Sequence, residues 1–179
     1  MNSYYIMNCS DKTNYDKLID FMIANSDAFS LVYFKYKENE KLKHQAKSLS
    51  IALKPFKIFQ KNTNIMPSMI TVNQNKHIYN LTIYKACAEV LPLLKSVDSL
   101  WEWDYPYYPM DLCFFRNGYA WFVSSAHENY NSLNTDDKEM ISAIGDLDLH
   151  LSKCDDVSSD WLFYFPDISK NAILASKLK

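Results

Sequence analysis

The chain has 179 residues, 48% of them hydrophobic and 15% aromatic, with a formal net charge of −2. That length fits one domain, and that apolar content is enough for a core, which excludes wholesale disorder. No apolar run approaches the roughly 18–20 residues that cross a bilayer, and Met1 to Ser10 lacks the basic and apolar regions of a signal peptide. The expectation is a single cytoplasmic domain over 1–179.

The charge is unevenly spread. Met1 to Val90 holds 12 Lys against 7 acids, whereas Leu91 to Lys179 holds 7 basic residues against 14 acids. Between Asp98 and Asp167 there are 14 acids and 3 basic residues. Such an asymmetry is either a set of solvated faces or the imprint of an electrostatic partner.

In chain order, Ser3 to Cys9 reads as a strand. Thr13 and Asp16 stand at capping-box spacing, ahead of Tyr15, Leu18, Ile19, Met22 and Ile23 at helical spacing. Ala28 to Tyr36 is a second strand, reached through that helix, which suggests a parallel βαβ unit. Glu38 to Leu53 is an amphipathic helix with Leu42, Ala46, Leu49 and Leu53 on one stripe, ended by Pro55. A short strand is expected at Phe56 to Gln60, a loop over Lys61 to Gln74 and a strand at His77 to Tyr84. Cys87 to Trp101 has helical spacing, with Pro92 tolerated only in a first turn.

Two prolines exclude a regular helix from Trp101 to Pro109, WEWDYPYYP. Asn117-Gly118 joins two aromatic runs, Leu112 to Arg116 and Tyr119 to Ala126, and predicts a type I′ hairpin. Pairing Arg116 with Tyr119 sets Phe115 against Ala120, Phe114 against Trp121, Cys113 against Phe122 and Leu112 against Val123. Both faces are apolar, so the hairpin belongs in the centre of a sheet. Thr135 is placed to cap a long helix with Met140, Ile144, Leu147 and Leu151 inward and Asp146 and Asp148 off that stripe, and His150 is expected on the same helix. Trp161 to Phe165 reads as a strand and the last dozen residues as a helix. The fold expected is α+β: a mixed β-sheet with a central Asn-Gly hairpin and helices packed on its faces.

The search for chemistry is mostly negative. With only Gly118 and Gly145 available, no phosphate-cradling loop of the Walker or dinucleotide type can be built. Cys9, Cys87, Cys113 and Cys154 lack zinc or redox spacing, and no disulfide, metal or cofactor is expected. A Cys113–His127 nucleophile pair fails on the hairpin register, which puts the two on opposite faces. Glu102, Asp104, Asp111 and Glu128 are read as loop charges before acid–base groups. Lys35 to Lys61 carries 8 Lys and 2 Glu, but a single Arg and a net acidic chain argue for a solvated face over nucleic-acid binding. The aromatic run from Trp101 to Tyr108 reads either as core packing or as an interface hot spot.

The segment from Ser99 to Glu128 resembles a family of small, uncharacterised bacterial proteins with the pattern L-x-x-W-x-x-P-x-x-P-x-D-L-x-F-F-R, a turn, W, then S-x-x-H-E. The matching residues are Leu100, Trp103, Pro106, Pro109, Asp111, Leu112, Phe114, Phe115, Arg116, Trp121, Ser124, His127 and Glu128. The similarity implies an immunity protein of a polymorphic or contact-dependent toxin system, without catalytic residues. The expected partner is a cognate toxin domain with a basic surface. Candidate contact residues are Glu102, Trp103, Asp104, Tyr107, Asp111, Asp146 and Asp148. The alternatives are a divergent enzyme using His127 and Glu128, or a non-catalytic interaction scaffold.

Overall fold

The structure, a computed structural model, describes residues 1–34, 44–64, 66–68, 78–154 and 168. Eight strands form one sheet: β1 (Ser3–Ile6), β2 (Ala28–Phe34), β3 (Lys57–Thr63), β4 (Tyr79–Lys85), β5 (Met110–Arg116), β6 (Tyr119–Ser125), β7 (Tyr130–Asn134) and β8 (Leu151–Cys154). Their order is β3-β4-β2-β5-β6-β7-β1-β8, and every described pairing is antiparallel. With four α-helices, α1 (Lys12–Ala24), α2 (His44–Leu53), α3 (Leu91–Leu94) and α4 (Lys138–Asp146), the fold is α+β.

The hairpin expected at Asn117-Gly118 occupies the fourth and fifth positions of the sheet. Asn117 and Gly118 both have positive φ, 52° and 84°, as a primed turn requires. Phe114, Phe115, Trp121 and Phe122 are all buried. The register departs from simple alternation after two pairs. Arg116 meets Tyr119 and Phe115 meets Ala120, but Phe114 faces Phe122. Trp121 is the extra residue of a bulge, and the bulge turns Trp121 and Phe122 toward the same core cluster. The pairings expected for Phe114 with Trp121, Cys113 with Phe122 and Leu112 with Val123 are thereby displaced. An indole hydrogen bond accompanies the bulge, from Trp121 Nε1 to Ser26 Oγ at 2.9 Å.

The β1–α1–β2 unit also differs from expectation. Alternating antiparallel steps make β1 and β2 point the same way, but β5, β6 and β7 lie between them. The helix therefore spans the sheet diagonally, and the sheet has no parallel neighbours among the described strands. Asp11, not Thr13, caps α1: its carboxylate accepts from Asn14 N. β1 ends at Ile6, short of Cys9, because the Asn131 side chain takes over its pairing. Asn131 Oδ1 accepts from Ile6 N at 2.9 Å and Asn131 Nδ2 donates to Ile6 O at 3.0 Å.

Other boundaries shift for similar local reasons. β3 runs on to Thr63, into the stretch read as loop. Cys87 to Trp101 is not one helix but α3 flanked by 3-10 turns at Ala88–Val90 and Leu100–Glu102. The carbonyls of Lys95 and Val97 are taken by the Lys12 ammonium instead of by a continuing helix. Asp137 rather than Thr135 caps α4, accepting from the backbone of Glu139 and Met140. α4 stops at Asp146, and Asp148 then adopts φ 64°, so Leu151 belongs to β8 and His150 to the turn before it. The strand expected at 161–165, the closing helix and the first part of the helix expected over 38–53 lie outside the described residues.

Apolar side chains divide between the two faces of the sheet. One cluster joins Tyr15, Leu18, Leu49, Leu53, Leu94 and Ile144 of all four helices to Phe29, Leu112, Phe114 and Trp121. The opposite cluster holds Val32, Leu81, Ile83, Cys113, Phe115 and Val123, with Met66 and Ile168 packed among them. Each large side chain removed from water in these layers contributes roughly 1.5–3 kcal/mol.

Candidate functional site

The two ends of the sequence motif from Leu100 to Glu128 meet at one corner, where the aromatic loop joins the start of β5 and the end of β6. The corner is held by Trp103. Its indole is fully buried, and Nε1 donates to Tyr15 Oη at 2.8 Å, while that hydroxyl donates to the Leu94 carbonyl at 2.7 Å. The Tyr108 ring meets the indole edge-on, with centroids 5.8 Å apart. One loop residue thus ties together α1, α3 and the sheet. This placement corrects Trp103 as a candidate contact residue, because a side chain with no accessible surface contributes to this structure through its own core.

Asp111 is the second internal support. β2 and β5 slip by one residue between Ser30 and Val32, so that Leu31 stands against both Asp111 and Leu112. At this bulge Asp111 takes φ 56°, a region that Asp and Asn tolerate better than other side chains. Its backbone N–H leaves the ladder and donates to the Trp103 carbonyl at 3.2 Å. Its carboxylate is 1% exposed and accepts from the Ser68 hydroxyl and from Ala126 N. Burial pushes the Asp111 carboxyl up to about 6, against the opposing pull of Ser68, His127 and the Ala126 N–H. Asp111 is therefore also withdrawn from any partner, contrary to its reading as a contact residue.

Around these supports lies an exposed acidic surface. Glu102 is exposed, with its carboxylate accepting from Asp98 N at 2.9 Å. Asp104 is half-buried and accepts from Tyr105 N. Tyr107 is 57% exposed, one of the most exposed large side chains described. No Lys or Arg occurs between Lys95 and Arg116. The local field is negative enough that Glu102 and Asp98 help burial to raise the Tyr108 hydroxyl above its usual range. Glu128 belongs to the same corner, on a 3-10 turn (Ala126–Glu128) in contact with the Leu100–Glu102 turn. Asp146 and Asp148 are exposed, at the end of α4 and in the turn into β8.

The structure brings His127 close to this corner. Its Nδ1 lies 3.2 Å from Ser125 Oγ and its Nε2 lies 3.6 Å from the Glu128 carboxylate. Cys113 takes no part. It has no accessible surface, its thiol points to the Ser124 carbonyl, and burial raises it far above the usual thiol range. A thiol held so firmly protonated is a packing group. Cys9 is similar, pushed up to about 11 by burial. Among the described residues no cluster of His, Cys, Asp or Glu is arranged to hold a metal ion, and no helix is long and apolar enough to cross a membrane.

Sequence reasoning missed the division of labour within the motif. Acidic charge selects Asp111 with Glu102 and Asp104, and aromatic character selects Trp103 with Tyr107, and neither criterion reports burial. Alternation offered a partial signal: in an extended WEWDY segment the tryptophans and the acids point opposite ways. Comparison with protein-family models, with curated proteins and with solved structures finds no match for this chain.

Proposed function

We propose that this chain is an immunity protein, a non-catalytic cytosolic domain that binds a cognate toxin domain through a basic surface on that toxin. The observation that carries the reading is the corner just described: an exposed tyrosine among Asp98, Glu102, Asp104 and Glu128, without a nearby Lys or Arg in sequence. Acids of this kind steer a basic partner, and an aromatic among them supplies contact area once water leaves. A nuclease cleft is basic because it binds phosphates, so an acidic plug suits it. Trp103 and Asp111 serve the interface indirectly, by fixing the loop that carries it. The resemblance of the Leu100–Glu128 segment to a family of small bacterial proteins, which implies an immunity role, supports the same reading.

The test begins with affinity capture from the native strain. The expected partner arrests growth when expressed alone in a heterologous host and is silenced by co-expression of this chain. With an inactive form of that partner, replacing Glu102 by Gln and Asp104 by Asn together slows association, most strongly at low salt, because exposed charges act over only about 8 Å at physiological ionic strength. Tyr107→Ala instead speeds dissociation. Asp146→Asn with Asp148→Asn serves as the comparison pair on other elements of the fold. Failure of co-expression to restore growth overturns the immunity reading.

A second reading, acid–base chemistry at His127, has one observation in its favour: the Asp111 carboxyl, raised to about 6, lies in the electrostatic reach of His127. A buried carboxyl raised in this way beside an imidazole is a common catalytic arrangement. That reading requires turnover of a substrate that is lost in His127→Ala.

A further inference from the structure

A cavity of about 290 Å³ opens between α2 and the sheet, on elements that do not contribute to the acidic corner. Its inner wall is formed by Tyr33 of β2 and Tyr84 of β4, whose hydroxyls lie 2.8 Å apart. Ser50 of α2 and Thr82 of β4 add two more hydroxyls, one beside each tyrosine. At the mouth stand Lys54 and Lys57, both exposed, with Gln60 hydrogen-bonded to Lys57. None of the described lining residues is acidic.

The local sequence explains why space remains here. α2 turns Leu49 and Leu53 into the core, and Ser50 is too small to fill the gap between helix and sheet. Opposite it, Asn80 and Thr82 are the polar members of β4, whose apolar alternates Tyr79, Leu81 and Ile83 face the other side. A void walled by hydroxyls, amides and phenol rings cannot be closed by apolar collapse.

The chemistry of the wall selects its occupant. Burial raises both tyrosine hydroxyls above their ordinary range, so they stay protonated at neutral pH. When one hydroxyl donates to the other, a single O–H remains to donate elsewhere. Two ammonium groups, with no carboxylate among the described lining residues, give the opening a positive potential. The phenol rings and Ile51 offer an apolar surface to a flat group. The volume lies just below the range of about 300–1,000 Å³ typical of small-molecule sites, which suits a compact ligand and not a dinucleotide.

We propose that this cavity binds a compact organic anion bearing a planar ring, its charged group held by Lys54 and Lys57 and its ring set against Tyr33 and Tyr84. The site is independent of toxin binding.

Phenyl phosphate, benzoate and inorganic phosphate are suitable probes, followed by amide chemical shifts in the intact chain. Phenyl phosphate or benzoate is expected to give saturable shifts confined to Ser50–Lys54, Lys57–Gln60 and Asn80–Tyr84. Which of the two binds more tightly identifies the charged group as phosphate or carboxylate. The double variant Lys54→Ala with Lys57→Ala, which removes only exposed side chains, should weaken that binding at least ten-fold without altering the thermal midpoint. Ser50→Leu, which fills the cavity, should abolish binding while leaving both lysines in place. Absence of saturable shifts with both ring-bearing probes overturns the proposal. So does unchanged affinity in the lysine variant, or inorganic phosphate binding as tightly as phenyl phosphate.

Discussion

The two ends of β5 follow different rules. At its C-terminal end, Arg116-Asn117-Gly118-Tyr119 behaves as short-range turn chemistry dictates, with two positive φ angles supplied by the residue types that accept them. At its N-terminal end, Met110-Asp111 breaks the ladder, buries a carboxylate and hands its N–H to a loop carbonyl. One strand therefore carries both a locally encoded turn and a kink imposed from outside. The turn end closes the hairpin and the kinked end builds the corner that presents Tyr107. The lesson is that the functional candidate sits where local preference is overridden, and that Ser68, Trp103 and Ala126 together supply the override.

Substitutions at three places along the hairpin sharpen that contrast. The largest effect is expected between the two ends, where Phe114 is fully buried and lies 6.1–6.2 Å, centroid to centroid, from Phe122 and Phe29. Phe114→Ala should cost about 3–5 kcal/mol in urea or thermal unfolding, as aromatic deletions in packed cores do. A loss below about 1 kcal/mol would show that the sheet centre does not carry the core.

The kinked end should respond to pH. The Asp111 carboxyl is raised from 3.8 to about 6 by burial, so the folded chain holds a proton there that the unfolded chain releases. The stabilising contribution of that proton is present below pH about 4 and is lost as pH rises through about 6. At roughly 1.4 kcal/mol for each pH unit, the ionised form is disfavoured by on the order of 3 kcal/mol at neutral pH. Asp111→Asn keeps an acceptor for Ala126 N and tolerates positive φ, so it should be more stable than the parent chain at pH 7. The stability difference between the two should shrink steadily from pH 6 to pH 4. A difference that does not change with pH would mean that Asp111 is ionised throughout, held by Ser68 and His127.

The turn end should respond least. Gly118 has φ 84°, where a Cβ is strained, so Gly118→Ala should cost about 1–2 kcal/mol. Asn117→Gly should be close to neutral. If Gly118→Ala is instead free of cost, the hairpin is held in register by Trp121 and its neighbours and not by its turn.

Much of the framework was legible because it depends on near neighbours. Asn117-Gly118 with apolar runs on both sides specifies a hairpin, and a hairpin apolar on both faces must lie inside a sheet. The spacing of Tyr15, Leu18, Ile19, Met22 and Ile23 specifies a helix and its buried side, and all five are buried. The alternation at Tyr79, Leu81 and Ile83 specifies a strand, and these three do share one face. Such patterns repeat every two or every 3.6 residues and need no knowledge of the rest of the chain.

Tertiary structure alone decided the rest, because each remaining feature depends on a group remote in sequence. Asn131 completes β1 from 125 residues away. Tyr15, 88 residues from Trp103, gives that indole its acceptor and so removes it from the surface. Lys12 caps carbonyls 83 and 85 residues distant and cuts short a helix that spacing alone would continue. Three strands intervene between β1 and β2 because the hairpin, apolar on both sides, takes the centre and pushes their shared direction apart. Charge and aromatic content singled out the Trp101–Tyr108 segment. Which of its side chains meets solvent was settled by a ladder slip at Asp111 and by a hydroxyl on α1, neither of which leaves a periodic trace in the sequence.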